Sequence, residues 1–144
     1  MDRCFRRKMA SRERGAEAVE FALVVPIFIL LVFGVVDFGW MINNDTMVNN
    51  ASREGARVGA LDPVTADIQA TVLQDSGTLD TTQITTTVTC LKPNATACAS
   101  MADATSGGTV IVKVVYHHSW ITPVGSTLMS SGINLTKTTQ MRIE

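Results

Sequence analysis

The chain has few of the residues that build catalytic or metal sites. Its 144 residues include two histidines and three cysteines, and no four ligands follow a spacing typical of a zinc site. His117 and His118 are neighbours, and neighbouring side chains on a strand point to opposite faces, so they do not share one metal ion. The sequence also lacks an activated nucleophile, a phosphate-binding glycine loop and a carboxylate pair with a base. It therefore predicts a protein that is not an enzyme and has no cofactor, metal or small-molecule substrate.

Aromatic residues are also scarce, at 6% of the chain. A single-stranded nucleic acid needs aromatic stacking platforms along a basic surface, and the basic residues here collect at one end instead. The sequence predicts no nucleic-acid partner.

Charge is distributed unevenly although the net charge is only -1. Residues 1–15 hold six basic and two acidic side chains, giving +4, and the rest of the chain holds six basic and eleven acidic ones, giving -5. The most apolar stretch, Phe21 to Trp40, follows this basic leader, and a helix of twenty residues spans about 30 Å, the thickness of a bilayer core. By the positive-inside rule the leader stays in the cytoplasm. A span centred near Ile29 places Asp37 at the far interface, where its carboxylate reaches water.

A secretory signal peptide is the alternative interpretation of this apolar run. Its charge-free part, Phe21 to Val36, has sixteen residues, which overlaps the range of signal cores. A removed signal would leave a secreted binding domain. Against this, no Ala-x-Ala cleavage site closes the run at Gly39 and Trp40.

The cysteines fit a single span. Cys4 lies in the leader, where a thiol stays reduced, whereas Cys90 and Cys98 lie beyond the span in an oxidising compartment. The segment between them contains Lys92-Pro93-Asn94, which favours a turn. We predict a Cys90–Cys98 disulfide, with two free thiols as the alternative.

The boundary between leader and span carries the most specific motif. The leader ends at Gly15, the fifth residue after it is Glu20, and Phe21 opens the apolar run within the string Gly15-Ala16-Glu17-Ala18-Val19-Glu20-Phe21-Ala22-Leu23. This string resembles the prepilin processing pattern in the form found in TadE-like pseudopilins. Two further strings resemble the same family: Ala51-Ser52-Arg53-Glu54-Gly55-Ala56-Arg57 and the terminal Met141-Arg142-Ile143-Glu144.

The resemblance implies a function and partners. It implies a minor pseudopilin, a structural and assembly subunit of a bacterial tight-adherence (Flp, type IVb-like) pilus and secretion machine in the inner membrane. A prepilin peptidase would cut after Gly15, and the new amine on Ala16 would pair with Glu20 of a neighbouring pilin or pseudopilin subunit. Alternatively, Glu20 rests at the lipid headgroups. The second functional reading is an unprocessed single-pass scaffold whose periplasmic domain binds other pilus or secretion components.

Glycine at the boundary has a physical rationale. It offers no side chain to hinder a protease, and we expect Gly15 to break the helix between leader and span. The scissile bond would then be exposed at the membrane surface.

Beyond the span the sequence predicts that the helix continues to about Ala60. The small residues Ala51, Gly55 and Gly59 line one face at a spacing of four and permit close approach of another element. Leu61-Asp62-Pro63 ends the helix, and Thr65 is expected to cap a short second helix that Gly77 stops.

Three strands are expected in the remaining chain. Gln83 to Cys90 alternates in polarity, a second and central strand covers residues 110–117, and a third covers 133–143. Residues 119–132 are expected to form a loop with one helical turn, where Trp120 and Ile121 either cover the sheet edge or touch neighbouring subunits.

The predicted fold is α+β and pilin-like: a long N-terminal helix, transmembrane in its first half, followed by a small, largely antiparallel sheet domain. The predicted organisation is a basic cytoplasmic leader (1–15), a transmembrane helix (16–40), a periplasmic continuation of that helix (41–61) and a small α+β periplasmic domain (62–144).

Overall fold

The structure is a computed structural model that describes the backbone of residues 2–129 and 131–144, and the side chains from Gly15 onward except at positions 128 and 130. Predictions about Met1 and about side chains of the leader, including Cys4, lie outside the described residues. In chain order the elements are α1 (Asp2–Leu61), α2 (Thr65–Asp75), β1 (Ile84–Leu91), β2 (Thr109–His118), α3 (Pro123–Leu128) and β3 (Ile133–Arg142), with short 3-10 turns at Thr81–Gln83 and Met101–Asp103. The α+β prediction is confirmed.

Helix α1 dominates the molecule. Its 60 residues extend about 90 Å at the standard helical rise, and it runs through Pro26. The expected break at Gly15 is wrong, because the helix is continuous from Asp2. One glycine costs a helix only about 1 kcal/mol relative to alanine, and Arg14 and Ala16 on either side are good helix formers.

The sheet is antiparallel with the order β1-β2-β3, so β2 is the central strand as predicted. Side chains of β2 alternate strictly, and its buried face consists of Val110, Val112, Val114, Tyr116 and His118. The opposite face of β1 exposes Thr85, Thr87 and Thr89. The core therefore lies on one face of the sheet.

Helices α1 and α2 cover that face. Only the C-terminal part of α1 takes part, and the core combines its small residues with branched apolar ones from α2 and β2 (Val48, Ala51, Ala56, Ala60, Ile68, Val72, Val110, Val112, Val114). Thr65 does not cap α2: the N-cap residue is Val64, in an extended conformation, and Thr65 is the first helical residue. Gly77 follows α2 with a φ of +64°, which glycine adopts without strain.

Residues 119–132 contain the short helix α3. Its N-cap Thr122 accepts a hydrogen bond from Gly125 N, and Pro123 occupies the first helical position. Both choices favour a helix start. This segment returns from the end of β2 to the middle of α1 before β3 begins.

Candidate functional site

The predicted processing site lies on a fully exposed part of α1. Gly15, Ala16, Glu20 and Phe21 are all exposed, and a Cβ added at Gly15 would meet no atom within 4 Å. Glu17, Glu20 and Phe21 line a shallow open groove. The described fold thus leaves this boundary accessible from outside, although in helical form.

The apolar run projects beyond the domain. The segment Gly15–Leu61 of α1 is long and apolar enough to cross a membrane, with a mean hydropathy of 2.8 in its most apolar window and none of that window buried. Phe21 and Ile27, for example, are 70% and 71% exposed. A contiguous apolar surface of this extent needs a cover of lipid or protein. The helix is thus suited to insertion in a bilayer.

Asp37 joins helix α1 to the start of α3. Its side chain is 5% exposed and accepts hydrogen bonds from Ile121 N at 3.1 Å, from Thr122 N at 3.0 Å and from the Thr122 hydroxyl. The expectation that this carboxylate reaches water is wrong. The physical reason is that the donors at the start of α3 replace water as partners of the buried charge.

The contact between Asp37 and the start of α3 was not predicted from the sequence. The signal available was a lone acid in an apolar run together with a Thr-Pro helix start, but the two are 85 residues apart. A single sequence contains no information that pairs them.

A second polar contact lies about two helical turns further along α1. Asn44 Nδ2 is 3.0 Å from His118 Nδ1, and both residues are buried. Burial lowers the pKa of His118 below its ordinary value of 6.5, against the opposing effect of the negative charge of Asp37. An amide nitrogen can only donate, so in this geometry His118 Nδ1 accepts the hydrogen bond from Asn44 Nδ2. Helix and sheet are fixed to each other at this point.

Trp120 packs against the same histidine, His118. Its ring meets the His118 ring edge-on, with centroids 5.3 Å apart and planes at 86°. It thus packs against the end of β2, whereas its neighbour Ile121 is 56% exposed.

The two histidines do not form a metal site. His118 is buried on one face, and His117 Nδ1 on the other face lies 3.0 Å from Asn134 Oδ1. Among the residues that the structure describes, no three histidine, cysteine or acidic side chains are arranged to hold a metal ion.

The predicted packing residues of α1 lie inside the domain. Ala51, Gly55 and Gly59 are buried. A Cβ at Gly55 would lie 2.5 Å from Val72 Cγ2 and 3.5 Å from Val112 Cγ1, so both α2 and β2 approach the helix backbone there. At Gly59 the nearest atom would be Ile68 Cδ1 at 2.8 Å.

Cys90 and Cys98 are joined in the structure by an S–S bond of 2.08 Å. The bond closes a turn in which Lys92 N donates to Thr96 O, and Ala95 adopts a φ of +62°. This turn follows the end of β1, beside the start of β2, where Leu91 pairs with Thr109.

Comparison with known proteins finds a similarity in the long helix. The protein-family model described as TadE-like protein matches residues 15–57. This segment holds the boundary motif and the string from Ala51 to Arg57, so the resemblance is confirmed there, while the string from Met141 to Glu144 lies outside it. The matched segment lies wholly within α1 and includes none of the sheet. No curated protein and no solved structure matches the chain.

Proposed function

Starting from the TadE-like match of residues 15–57, we propose that the protein is a minor pseudopilin, a structural and assembly subunit of a bacterial tight-adherence pilus and secretion machine. The observation that carries the proposal is the apolar surface of α1 ahead of Asp37, which nothing in the described fold covers. Such a surface suits a subunit that waits in the bilayer and then packs against the helices of other subunits.

The proposed topology has the leader in the cytoplasm and the domain in the periplasm of the inner membrane. The six basic residues of the leader support this orientation. The Cys90–Cys98 bond supports the same orientation, because disulfides persist in the periplasm and not in the cytoplasm.

We further propose that a prepilin peptidase cuts after Gly15. The exposed boundary and the acid five residues after the glycine support cleavage there. The mature chain would begin at Ala16, with its new amine about 6 Å along the helix from Glu20. An amine and a carboxylate at this depth are each costly alone, so pairing between neighbouring subunits would set their register.

The unprocessed scaffold is the second candidate. One observation favours it: α1 continues as a helix through Gly15, whereas proteases act on extended backbone, so cleavage requires local unwinding. In this case the periplasmic domain alone would recruit other components.

Replacement of Gly15 by valine separates the two candidates. The mature wild-type protein from membranes that contain a prepilin peptidase is expected to begin at Ala16, whereas Gly15→Val is expected to keep its leader because the branched side chain blocks the scissile bond. Intact mass and N-terminal sequencing measure this.

Gly39→Val is the matched control. It places the same side chain at another exposed glycine of α1 where a Cβ meets no atom within 4 Å, and it should be cleaved like the wild type. A wild-type chain that retains its leader in those membranes rejects processing and leaves the scaffold.

A further inference from the structure

An apolar cleft lies where the domain meets α1. It is a partly open cleft of about 430 Å³ between one stripe of α1, which includes Leu30, Gly34 and Phe38, and a second wall that includes Trp120 and Ile133. We call it the junction cleft. Val124 and Met129 form part of the wall opposite α1.

The lining of the junction cleft is almost entirely apolar. Asp37 is its one ionisable side chain, and both oxygens of that carboxylate are already engaged by Ile121 N, Thr122 N and the Thr122 hydroxyl. The remaining lining side chains are apolar apart from the indole of Trp120. A charged or strongly polar ligand would lose its hydration there without gaining a partner.

The cleft is too small to take in a whole helix. A helix with side chains is about 10–12 Å across, so about 4–5 Å of its length, or three residues, would fill this volume. A thin, flexible chain can enter where a helix cannot. The cleft therefore fits an alkyl chain better than a transmembrane helix of a second subunit.

If α1 spans the membrane as proposed, the cleft lies next to the acyl chains of the surrounding lipid. Residues 20–36, which lie ahead of the domain contact at Asp37, cover only about 25 Å, somewhat less than the hydrocarbon thickness of about 30 Å. If the bilayer keeps this thickness, the rim of the domain dips into it, and the exposed apolar residues of that rim include Ile121 and Met129, at 56% and 60% exposure. Leu30 and Phe38 are also 52% and 59% exposed, so the cleft wall continues onto the lipid-facing surface of α1.

We propose that the junction cleft binds one acyl chain of a phospholipid from the leaflet on the domain side. This inference rests on the proposed membrane insertion of α1 and adds to it a lipid that joins the domain to the bilayer. The glycerol and headgroup remain outside the cleft at the water interface.

The test uses the full chain with Trp120 as the only tryptophan, obtained by Trp40→Phe, in phosphatidylcholine vesicles. Phosphatidylcholine that is brominated in mid-chain quenches the fluorescence of a tryptophan that it touches. Quenching is followed as the share of brominated lipid is raised. We expect quenching of Trp120 in the wild-type cleft. In Gly34→Leu the added side chain enters the cleft and takes the place of part of the acyl chain. Binding of the acyl chain should weaken about tenfold or more, because each methylene that loses its burial weakens binding about fourfold.

Gly39→Leu is the matched control. Gly34 and Gly39 are both exposed on α1, a Cβ meets no atom within 4 Å at either, and only Gly34 lines the cleft. Neither variant is expected to lower the thermal unfolding midpoint. Equal quenching in the Gly34→Leu and Gly39→Leu proteins overturns the proposal, as does the absence of quenching in all of them.

Two further readouts separate the alternatives. If Trp120 becomes shielded from the brominated lipid only as the protein-to-lipid ratio rises, a second copy covers the cleft and the proposal is overturned. Extraction of the vesicles at alkaline pH tests insertion itself. Protein that stays in the vesicles but shows no quenching contradicts the lipid site alone, whereas protein released from them contradicts the proposed function as well.

Discussion

Replacement of Gly55 by leucine is expected to lower the stability of the domain by about 3 kcal/mol or more. The added Cβ alone would lie 2.5 Å from Val72 Cγ2, and the rest of the side chain would press on Val112 and Ile68. Val72 is β-branched and sits in a helix, where its side chain has essentially one rotamer, so it cannot turn away. Helix α1 would have to separate from both α2 and β2.

Thermal unfolding of the detergent-solubilised protein, followed through the sheet signal, measures this effect. A loss of 3 kcal/mol lowers the midpoint of a domain of this size by about 10–20 °C. Gly39→Leu is the control, because the same change at an exposed glycine of the same helix should leave the midpoint unchanged or raise it, since leucine is the better helix former. If both variants unfold at the same temperature, the close packing of α1 on α2 and β2 is wrong.

Replacement of Asp37 by alanine is expected to release α3 from α1 while the sheet stays folded. The change leaves Ile121 N, Thr122 N and the Thr122 hydroxyl without their acceptor, and hydrogen bonds to a charged group each contribute about 1.5–3 kcal/mol. Because the three bonds act as one unit, we expect a total loss of about 3–4 kcal/mol rather than their sum.

Amide hydrogen exchange resolves this local opening. Exchange at Ile121, Thr122 and Gly125 should accelerate by about two to three orders of magnitude, since each 1.4 kcal/mol corresponds to a factor of ten, while exchange in the middle of β2 stays the same. Asp37→Asn keeps one carbonyl acceptor, so these amides should lose less of their protection from exchange than in Asp37→Ala.

The matched control for this experiment is Asp45→Ala. Asp45 also lies on α1 and pairs with Lys137 of β3 at 2.8 Å, but both side chains are partly exposed. An ion pair of this kind contributes at most about 1 kcal/mol, so exchange should change little. Equal protection of α3 in Asp37→Ala and in the wild type would show that the carboxylate does not hold this segment.

Local sequence patterns were sufficient for most of the fold. The apolar run and the small residues before Pro63 predicted one long helix, and the alternation of valines in residues 110–116 predicted a central strand with one buried face. These features depend on side chains close in sequence, so a period of 3.6 or 2 residues reveals them.

The errors arose where tertiary contacts or weak local preferences decide. The carboxylate of Asp37 was predicted to be hydrated, because its partners Ile121 and Thr122 lie more than eighty residues later in the sequence. Gly15 was assigned a helix break because its flexibility was given more weight than the helix propensity of its neighbours. The buried contact between Asn44 and His118 was not predicted either, since alternation placed His118 on a face but not opposite a particular residue of α1.

The family match and the candidate site agree in location. The match ends at residue 57, before the sheet begins, and it includes the proposed processing boundary, the apolar run, Asp37 and the first two of the three packing residues of α1. The helix that would enter the membrane and the surface that receives the domain thus belong to the same matched segment.

Extraction of bacterial membranes with alkaline carbonate tests the central claim most directly, because it removes peripheral and soluble proteins and leaves those whose helices cross the bilayer. We predict that the full chain stays in the membrane pellet and that added protease degrades the sheet domain only when the periplasmic side is open to it. Recovery of the full-length chain in the carbonate supernatant, with Phe21 to Val36 shielded by protein instead of lipid, would contradict the account.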